Sequence, residues 1–542
     1  MNNTLEQFKE YLHKMRQYDH VLTLLYWDLS TLAPEKGVEA RTNAINYFST
    51  EAFRLSTADE YGEMLHTLSE KDQFDALDET MQLTVKRYLR DYERFKRIPE
   101  DFYSAYTEVK TRSQRAWEKA KRASDFSQFA PHLEKVISMT KEYVHYMEPD
   151  KEVYEVLLDM YEEGMDSATI DRVFEELKEG LLPLLKKIEE SGRPDLSALE
   201  ALSAPLRSAL NNRPLDDQRP RDSSAADRSR DSENASRCAA ALKGTYDIQA
   251  QKKVQDMLLS YIGFDKDAGA TAESEHPFTT DLCIGDVRVT NHYNEKDPIS
   301  AMFSAIHEGG HAIFGQNIDP AYEDTALEQV NMMGLHESQS RFFENILGRR
   351  RSFWVPIYDK LGGLLPQFKE IPLDTFCRAI NDVHPSMIRT EADEVTYCLH
   401  IILRYEMEKA IFRDNTPVDK LPQLWNDKME ELLGIRPEND GEGILQDMHW
   451  SDGSFGYFPS YLLGSMYDGM FLEALEKEKG SVDTILEEGR ISEITAWLNE
   501  KIHRYGSRYT SAEVLQRVCG KELSAQPLLN YFNQKYAKLY TL

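Results

Sequence analysis

The 542-residue sequence has few cysteines and no closely spaced pair of them. The five that occur are scattered along the chain, an odd number without a CxxC motif. This pattern argues against a disulfide framework and is typical of a reducing compartment. We therefore predict a cytoplasmic protein.

Long apolar runs are missing as well. A membrane-spanning helix requires ~20 consecutive apolar residues, and the sequence contains no such run. Its opening residues are polar and charged, whereas a secretory signal peptide has an apolar centre. The sequence thus predicts a soluble protein without a membrane partner.

Basic residues are outnumbered by acidic ones. The chain has 64 Lys and Arg against 93 Asp and Glu, a formal net charge of −29. Such a charge repels nucleic acid and anionic lipid, so neither is an expected partner. With 41% hydrophobic residues the chain can bury a sizeable core, and its length predicts two or more packing units.

Helical periodicity is the main pattern that is present. Apolar residues recur every three or four positions from 5 to 25, which predicts an amphipathic helix. The best strand candidate is 286–293, beside the stretch "FTTDLCIG". The predicted fold is mostly α with one small sheet, and further helical stripes run through 80–118, 127–147, 169–187 and 392–414.

One segment, 199–241, differs from the rest in composition. It contains no aromatic residue and is rich in Arg, Asp, Ser and Ala. Such a composition cannot bury enough apolar surface to fold, so we predict a disordered insertion. A functional linker or binding arm is the alternative.

The stretch "AIHEGGHAIF" at 305–314 carries the strongest chemical signal. Its apolar spacing predicts a helix, on which His307 and His311 share one face with Cβ atoms ~5–6 Å apart. Both imidazoles can then bind one zinc ion. Glu308 lies ~100° around the helix, close enough to a water at the metal to act as general base. The alternative is a pair of core histidines.

Two glycines, Gly309 and Gly310, interrupt this helix. Each costs ~1 kcal/mol relative to alanine in a helix interior. We therefore predict that a neighbouring backbone or a substrate needs the space beside the helix.

A catalytic zinc ion needs a third protein ligand and one open position. Another helical stripe, 333–348, carries Glu337 next to His336. A carboxylate on a second helix that packs against the first completes a His₂Glu site. Glu337 is one acid among many, but its position next to His336 makes it the favoured candidate for the third ligand.

Six motifs in order resemble the Taq-type metallocarboxypeptidases, zinc carboxypeptidases with an HExxH motif. The resemblance covers nearly the whole chain except 199–241. It implies a mostly α fold with two helical lobes around a deep groove, and residues 1–542 as a single catalytic unit. It also implies broad release of single C-terminal amino acids from peptides, and a homodimer. The motifs are "HPFT" (276–279), "DVRVT" (286–290), "HEGGH" (307–311), "HESQSRFFEN" (336–345), "IRTEADEVTY" (388–397) and "GILQDMHWSDGSFGYFPSY" (443–461).

The same resemblance assigns roles at the site. One Zn²⁺ per chain is held by His307, His311 and Glu337, with Co²⁺ or Mn²⁺ as possible substitutes. Glu308 activates the water. His449 and Tyr457 are candidates to stabilise the oxyanion of the tetrahedral intermediate, although Tyr457 also suits aromatic packing.

An exopeptidase must bind the free carboxylate of its substrate, and a guanidinium does so with two prongs. Arg389 is the best candidate and Arg288 the second. The alternative for Arg389 is an ion pair with the acids that follow it in sequence. Candidates to orient ligands or shape the groove are His276, His336, Asp286 and Asp447.

Three rival hypotheses remain open on sequence alone. The first is a zinc endo-oligopeptidase or a dipeptide-releasing enzyme with the same zinc helix; a C-terminal amide on the substrate would leave an endopeptidase active. The second is a catalytically silent peptide-binding homologue, which has no need of Glu308 beside a metal. The third is a helical scaffold with chance motifs, which binds no stoichiometric zinc.

Overall fold

A computed structural model describes residues 2–191, 245–540 and 542 of the chain. The predicted insertion at 199–241 lies outside the described residues. α-Helices dominate the described residues, as the periodicity predicts. No helix in these ranges is long and apolar enough to cross a membrane.

Helices follow one another closely before residue 192. Asp78 and Glu152 begin two of them, each accepting backbone N–H bonds in the first turn. Pro99 divides the predicted stripe at 80–118 into two helices, because proline cannot continue a helix. The helices are α1 (Asn2–Thr31), α2 (Val38–Ser56), α3 (Asp59–Ser69), α4 (Lys71–Phe74), α5 (Glu79–Lys96), α6 (Glu100–Ala123), α7 (Ala130–Met147), α8 (Val153–Asp159) and α9 (Ser167–Ser191).

A three-stranded sheet follows α10 (Ile248–Ile262). Its strands are β1 (Gly269–Glu273), β2 (Thr279–Cys283) and β3 (Asp286–Asn291). The central strand β3 pairs parallel to β1 and antiparallel to β2. Both predicted strand segments are confirmed as β2 and β3. The sequence did not predict β1, because "GATAE" lacks alternating apolar and polar residues.

The second half of the chain is again helical, and it contains the predicted metal-binding segments. Directly after α12, residues Phe342–Leu347 wind as a π-helix. The helices are α11 (Pro298–Gln316), α12 (Met333–Arg341), α13 (Arg351–Trp354), α14 (Tyr358–Leu364), α15 (Leu373–Ala379), α16 (Glu394–Phe412), α17 (Leu421–Leu433), α18 (Phe458–Lys479), α19 (Val482–Glu487), α20 (Ile491–Lys501), α21 (Ser511–Cys519) and α22 (Gln526–Tyr540).

The described residues form two hydrophobic cores of unequal size. The smaller core joins α1, α3 and α5 through side chains such as Phe8, Leu65 and Val85. The larger one runs through α7, α9 and most of the second half of the chain, including α11, α12, α16 and α18. These are two separate clusters of buried apolar side chains.

Candidate active site

The helix that carries both histidines begins at a cap encoded in the sequence. The Asp297 carboxylate accepts the Ser300 N–H at 3.1 Å, and Pro298 occupies the first turn, where its missing N–H is harmless. Most side chains of α11 are buried on both sides of the helix. Because α11 crosses the large core, His307 and His311 lie in the interior next to a cavity.

The structure brings three candidate ligand atoms, from His307, His311 and Glu337, together at one point. The Nε2 atoms of His307 and His311 lie 3.9 and 3.5 Å from the Glu337 Oε2 atom. Two ligands ~2.0–2.1 Å from a tetrahedral metal are separated by about 3.4 Å. The three side chains therefore fit a single divalent ion with little movement.

The charges around these atoms favour a cation. Burial disfavours the charged form of Glu337, but His307, His311 and Arg341 outweigh it and lower the pKa of the carboxyl. Burial likewise lowers the pKa of His307, yet the carboxylates of Glu337, Glu344 and Glu308 raise it to about 9. Three carboxylates surround the His307 ring, and their negative charge favours a metal ion in place of the proton on that ring.

Each ligand histidine is oriented through its second ring nitrogen. Glu344 Oε2 lies 2.8 Å from His307 Nδ1, and His336 Nδ1 lies 2.6 Å from His311 Nδ1. Burial, followed by the charge of His311, lowers the pKa of His336 to about 3, so its ring is neutral at neutral pH. These contacts leave both Nε2 atoms free to bind metal.

Glu344 is a site residue that sequence reasoning missed. It follows Glu337 by seven positions, two turns along the same helix face, within the quoted stretch "HESQSRFFEN". That spacing is the signal that identifies it. His336, by contrast, is where the sequence predicts an orienting group.

The paired glycines of α11 allow close packing on both of its sides. A Cβ atom at Gly310 would lie 2.6 Å from the Gln339 carbonyl oxygen of α12. One at Gly309 would lie 2.6 Å from the Ile262 side chain of α10. The predicted need for a neighbouring backbone is confirmed, and this close approach brings Glu337 to the two histidines.

Glu308 lies beside the three ligand atoms and is held by the sheet. The Thr279 hydroxyl, at the start of β2, lies 2.7 Å from Glu308 Oε2 and 2.9 Å from the Glu308 carbonyl oxygen. Glu308 is 8% exposed, so this hydroxyl is a main determinant of the carboxylate's direction. Thr279 belongs to the "HPFT" motif but was not among the predicted site residues.

We expect Thr279→Val to lower kcat by about 10-fold while metal content stays at one ion per chain. A hydrogen bond to a charged group contributes ~1.5–3 kcal/mol, and a factor of ten corresponds to ~1.4 kcal/mol. Steady-state kinetics and metal analysis of the purified variant check this. Thr280→Val, one position along β2, is the matched control, and equal losses in both variants would contradict the role of Thr279.

Two cavities of about 620 and 570 Å³ meet at the histidine helix. Both are lined by His307, Glu308, Glu337 and Tyr461. The first is closed by β2 and α12, and the second extends to Arg389. Together they form a groove that passes the three ligand atoms, which is the arrangement that the family resemblance implies.

Of the two predicted oxyanion donors, Tyr457 lies at the groove and His449 does not. Tyr457 lines the first cavity, and burial raises the pKa of its phenol to about 12. His449 is not among the described residues that line either cavity. Its Nε2 lies 3.1 Å from the hydroxyl of Tyr461, which borders both cavities. Tyr461 is thus a phenol at the groove like Tyr457, and Tyr397 lines the second cavity as well.

Arg389 lines the second cavity, and its ion-pair partner is not one of the acids predicted from sequence. Its Nε and Nη2 donate to Asp447 Oδ1 at 3.0 and 2.9 Å. Its Nη1 donates to the Tyr397 hydroxyl at 3.2 Å. Arg404, fully buried, binds the other oxygen of Asp447 at 2.6 Å. Two arginines share one carboxylate, so the cluster carries an excess positive charge.

Arg288, Asp286 and His276 lie apart from the groove. Both oxygens of Asp286 are bound by Arg288 at 2.8 and 2.6 Å, and the guanidinium also stacks on Trp27 of α1. His276 is exposed, and its carbonyl oxygen accepts the Ser274 hydroxyl. None of the three is among the described residues lining the two cavities.

Two histidines and a glutamate on one helix, together with a carboxylate from the next helix, form an arrangement that is typical of metallopeptidases. A model of the Carboxypeptidase Taq (M32) metallopeptidase family matches residues 7–210 and 223–536. The chain belongs to this family. Inside the predicted insertion the family model omits only residues 211–222.

Individual relatives match over their full length. Carboxypeptidase 1 of Bacillus subtilis is 40% identical over 539 residues, 99% of each chain. The M32 carboxypeptidase of Deinococcus radiodurans superposes with a TM-score of 0.87 at 29% identity over 100% of each chain. The carboxypeptidase of Pyrococcus furiosus gives a TM-score of 0.86 at 32% identity over 99% of each chain. The predicted resemblance and the predicted fold class are both confirmed.

Proposed function

We propose that this metallocarboxypeptidase, a hydrolase acting on peptide bonds, releases single C-terminal amino acids with one zinc ion per chain held by His307, His311 and Glu337. The observation that carries the proposal is the convergence of two Nε2 atoms and one carboxylate oxygen within 4.8 Å of one another, beside Glu308. Co²⁺ and Mn²⁺ are possible substitutes, since affinity order does not decide which metal is loaded in a cell.

Glu308 acts as general base and then as general acid. When bound, the metal polarises the scissile carbonyl and lowers the pKa of a water molecule towards ~7. Glu308 accepts a proton from that water and passes it to the leaving amine. Thr279 holds the carboxylate in the direction that this transfer requires.

Tyr457 and Tyr461 supply hydroxyl donors to the oxyanion. With a pKa of about 12, Tyr457 stays protonated at neutral pH and can donate a hydrogen bond. Burial keeps the pKa of Tyr461 well above its usual value as well. His449 contributes by bonding to Tyr461, behind the groove. His336 orients His311, whereas His276 has no role at the groove.

Arg389, rather than Arg288, takes the carboxylate of the substrate. A guanidinium has five N–H donors, and three of those of Arg389 are used by Asp447 and Tyr397. The remaining two belong to Nη1 and Nη2, the edge that binds a carboxylate with two prongs. Arg288 already has a bidentate partner in Asp286.

The proposal is tested with one peptide in two forms, with a free C-terminus and with a C-terminal amide. We expect stoichiometric zinc in the purified enzyme and sequential loss of single residues from the free acid, with little attack on the amide. Mass spectrometry of the products and elemental analysis provide the readouts. Internal cleavage of the amide would indicate an endo-oligopeptidase, and zinc without turnover would indicate a silent homologue.

We further propose that the enzyme is a cytoplasmic homodimer of broad specificity, with residues 1–542 as one catalytic unit. Unpaired thiols at four described cysteines fit a reducing compartment. Five large apolar side chains on and between α1 and α2 are exposed, including Leu32 at 74% and Tyr47 at 62%. Exposed apolar side chains of this kind suit a protein interface, and a second copy is the partner that the family resemblance implies. Light scattering of the purified protein measures the oligomeric state.

A further inference from the structure

Two fully buried carboxylates outside the catalytic set lie behind the site, at Glu162 and Glu408. Glu162 is 2% exposed and Glu408 is 0% exposed. Neither has a cationic partner within ion-pair distance among the described residues, although burying an unpaired carboxylate is unfavourable. Each is instead satisfied by three hydrogen-bond donors. A hydrophobic residue would stabilise such a core more than a carboxylate does. We therefore expect the contacts of Glu162 and Glu408 to serve a function.

Glu162 fixes the start of the helix that carries Glu337. Its Oε2 accepts the Gly334 N–H at 2.8 Å, in the first turn of α12. Its Oε1 accepts the hydroxyl of Tyr467 on α18 at 2.9 Å and that of Ser511 on α21. A Cβ atom at residue 334 would lie 2.9 Å from the Glu162 carboxylate, so the glycine permits this close contact. Glu162 thereby ties α12 to two neighbouring helices.

Glu408 fixes the loop that presents Tyr457. Its Oε2 accepts the Gly456 N–H at 2.9 Å and the Tyr154 hydroxyl at 2.8 Å, and its Oε1 accepts the Trp450 indole N–H at 2.9 Å. Gly456 has a φ of +86°, which disfavours any other residue, and a Cβ atom there would lie 2.6 Å from the Leu157 carbonyl oxygen. The backbone is therefore held firmly one residue before Tyr457.

Residues 153–162, which comprise α8 and the turn after it, touch both halves of the site. Tyr154 binds Glu408, as described. Tyr161 packs its ring edge-on against Tyr457 at 4.9 Å, and its carbonyl oxygen accepts the Met333 N–H at 2.8 Å. Glu162 follows directly. One short segment, residues 153–162, thus contacts the elements that carry Glu337 and Tyr457 and so determines the distance between these two side chains.

We propose that Glu162 and Glu408 are positioning residues of the peptidase reaction. Glu162 sets α12 and so places Glu337 at the metal, whereas Glu408 sets the 449–457 loop and so places Tyr457 at the oxyanion. This inference rests on the proposed function, in which Glu337 is a ligand and Tyr457 is a donor. It predicts a loss of metal affinity when Glu162 is changed and a loss of kcat when Glu408 is changed. A merely structural role would not produce two different defects.

Glu162→Gln and the milder Tyr467→Phe should weaken metal binding by about tenfold, the range seen when a group that supports a metal ligand is removed. The absorption spectrum of the Co²⁺-loaded protein should change with them. Chelator competition measures the affinity without reference to activity. Glu408→Gln and Tyr154→Phe should leave both the affinity and the spectrum unchanged and lower kcat by about tenfold at nearly constant KM, because a displaced oxyanion donor acts on the transition state.

Tyr405→Phe is the matched control. Tyr405 lies on α16 with Glu408, is 2% exposed, and donates to the Asp171 carboxylate at 2.7 Å, away from the groove. It should lower the thermal midpoint with no change in metal affinity or kcat. If Tyr467→Phe and Tyr154→Phe behave like this control, the inference is overturned. If Glu162→Gln does not fold, Tyr467→Phe tests the role of Glu162; if Glu408→Gln does not fold, Tyr154→Phe tests the role of Glu408.

Two further variants separate this inference from the proposed function. Glu337→Ala should abolish tight metal binding, and Tyr457→Phe should lower kcat. If Glu337→Ala keeps the metal affinity of the parent, or Tyr457→Phe keeps its kcat, the role proposed for that residue is wrong. The inference that depends on this role is then wrong as well. If both behave as expected while the positioning variants show no effect on metal binding or kcat, only the inference is wrong.

Discussion

Replacing Glu308 by glutamine should lower kcat by at least ~10²–10⁴-fold, the usual contribution of general acid–base catalysis. The amide has the size of the carboxylate and its oxygen can still accept the Thr279 hydroxyl, but it cannot take a proton from water. Metal content should stay unchanged, because Glu308 is not one of the three converging ligand residues. Elemental analysis and turnover of a chromogenic peptide check the two halves of this expectation.

Glu328→Gln is the control for that experiment. Glu328 is 5% exposed, lines the same cavity and pairs with Arg16 at 2.7 Å. Its replacement removes a buried carboxylate from the groove without touching the ligand atoms. A kcat near the parent value in Glu308→Gln, or an equal loss in both variants, would show that Glu308 is not the base.

Local patterns in the sequence predict those parts of the site that lie on a single helix. The spacing of His307, Glu308 and His311 follows directly from helix geometry, since residues four apart share a face. Glu337 requires only one further step, namely that a second helix packs against the first. The glycine pair predicts that packing, because its cost is otherwise unexplained.

Residues brought together by tertiary contacts alone are harder to predict. Asp447 lies 58 positions from Arg389 along the chain, yet it takes the place of the acids next to Arg389 in sequence. Tyr461, in the first turn of α18, lines both cavities, whereas His449 lies in the loop before this helix and contacts the Tyr461 hydroxyl. The edge strand β1 is stabilised by pairing with β3, and its own residues carry no strand pattern.

Replacing Arg389 by lysine should lower kcat/KM for a free-acid peptide by about 10- to 100-fold. Lysine keeps the charge but offers a point donor on a flexible stem in place of a planar fork. Losing one prong to a carboxylate costs ~1.5–3 kcal/mol, at ~1.4 kcal/mol per decade. The same peptide ending in an amide should be a poor substrate from the start and become no poorer.

The choice of lysine follows from the cluster around Asp447. Removing one member of a buried ion pair costs ~3–5 kcal/mol, so a neutral replacement would confuse folding with binding. The lysine keeps Asp447 neutralised beside Arg404, and we expect only a small fall in the thermal midpoint.

Arg288→Lys is the matched control, because it makes the same change at an arginine outside the groove. If Arg389→Lys harms both peptides equally, Arg389 serves the Asp447 cluster and not the substrate. If Arg288→Lys selectively impairs the free acid, Arg288 binds the carboxylate.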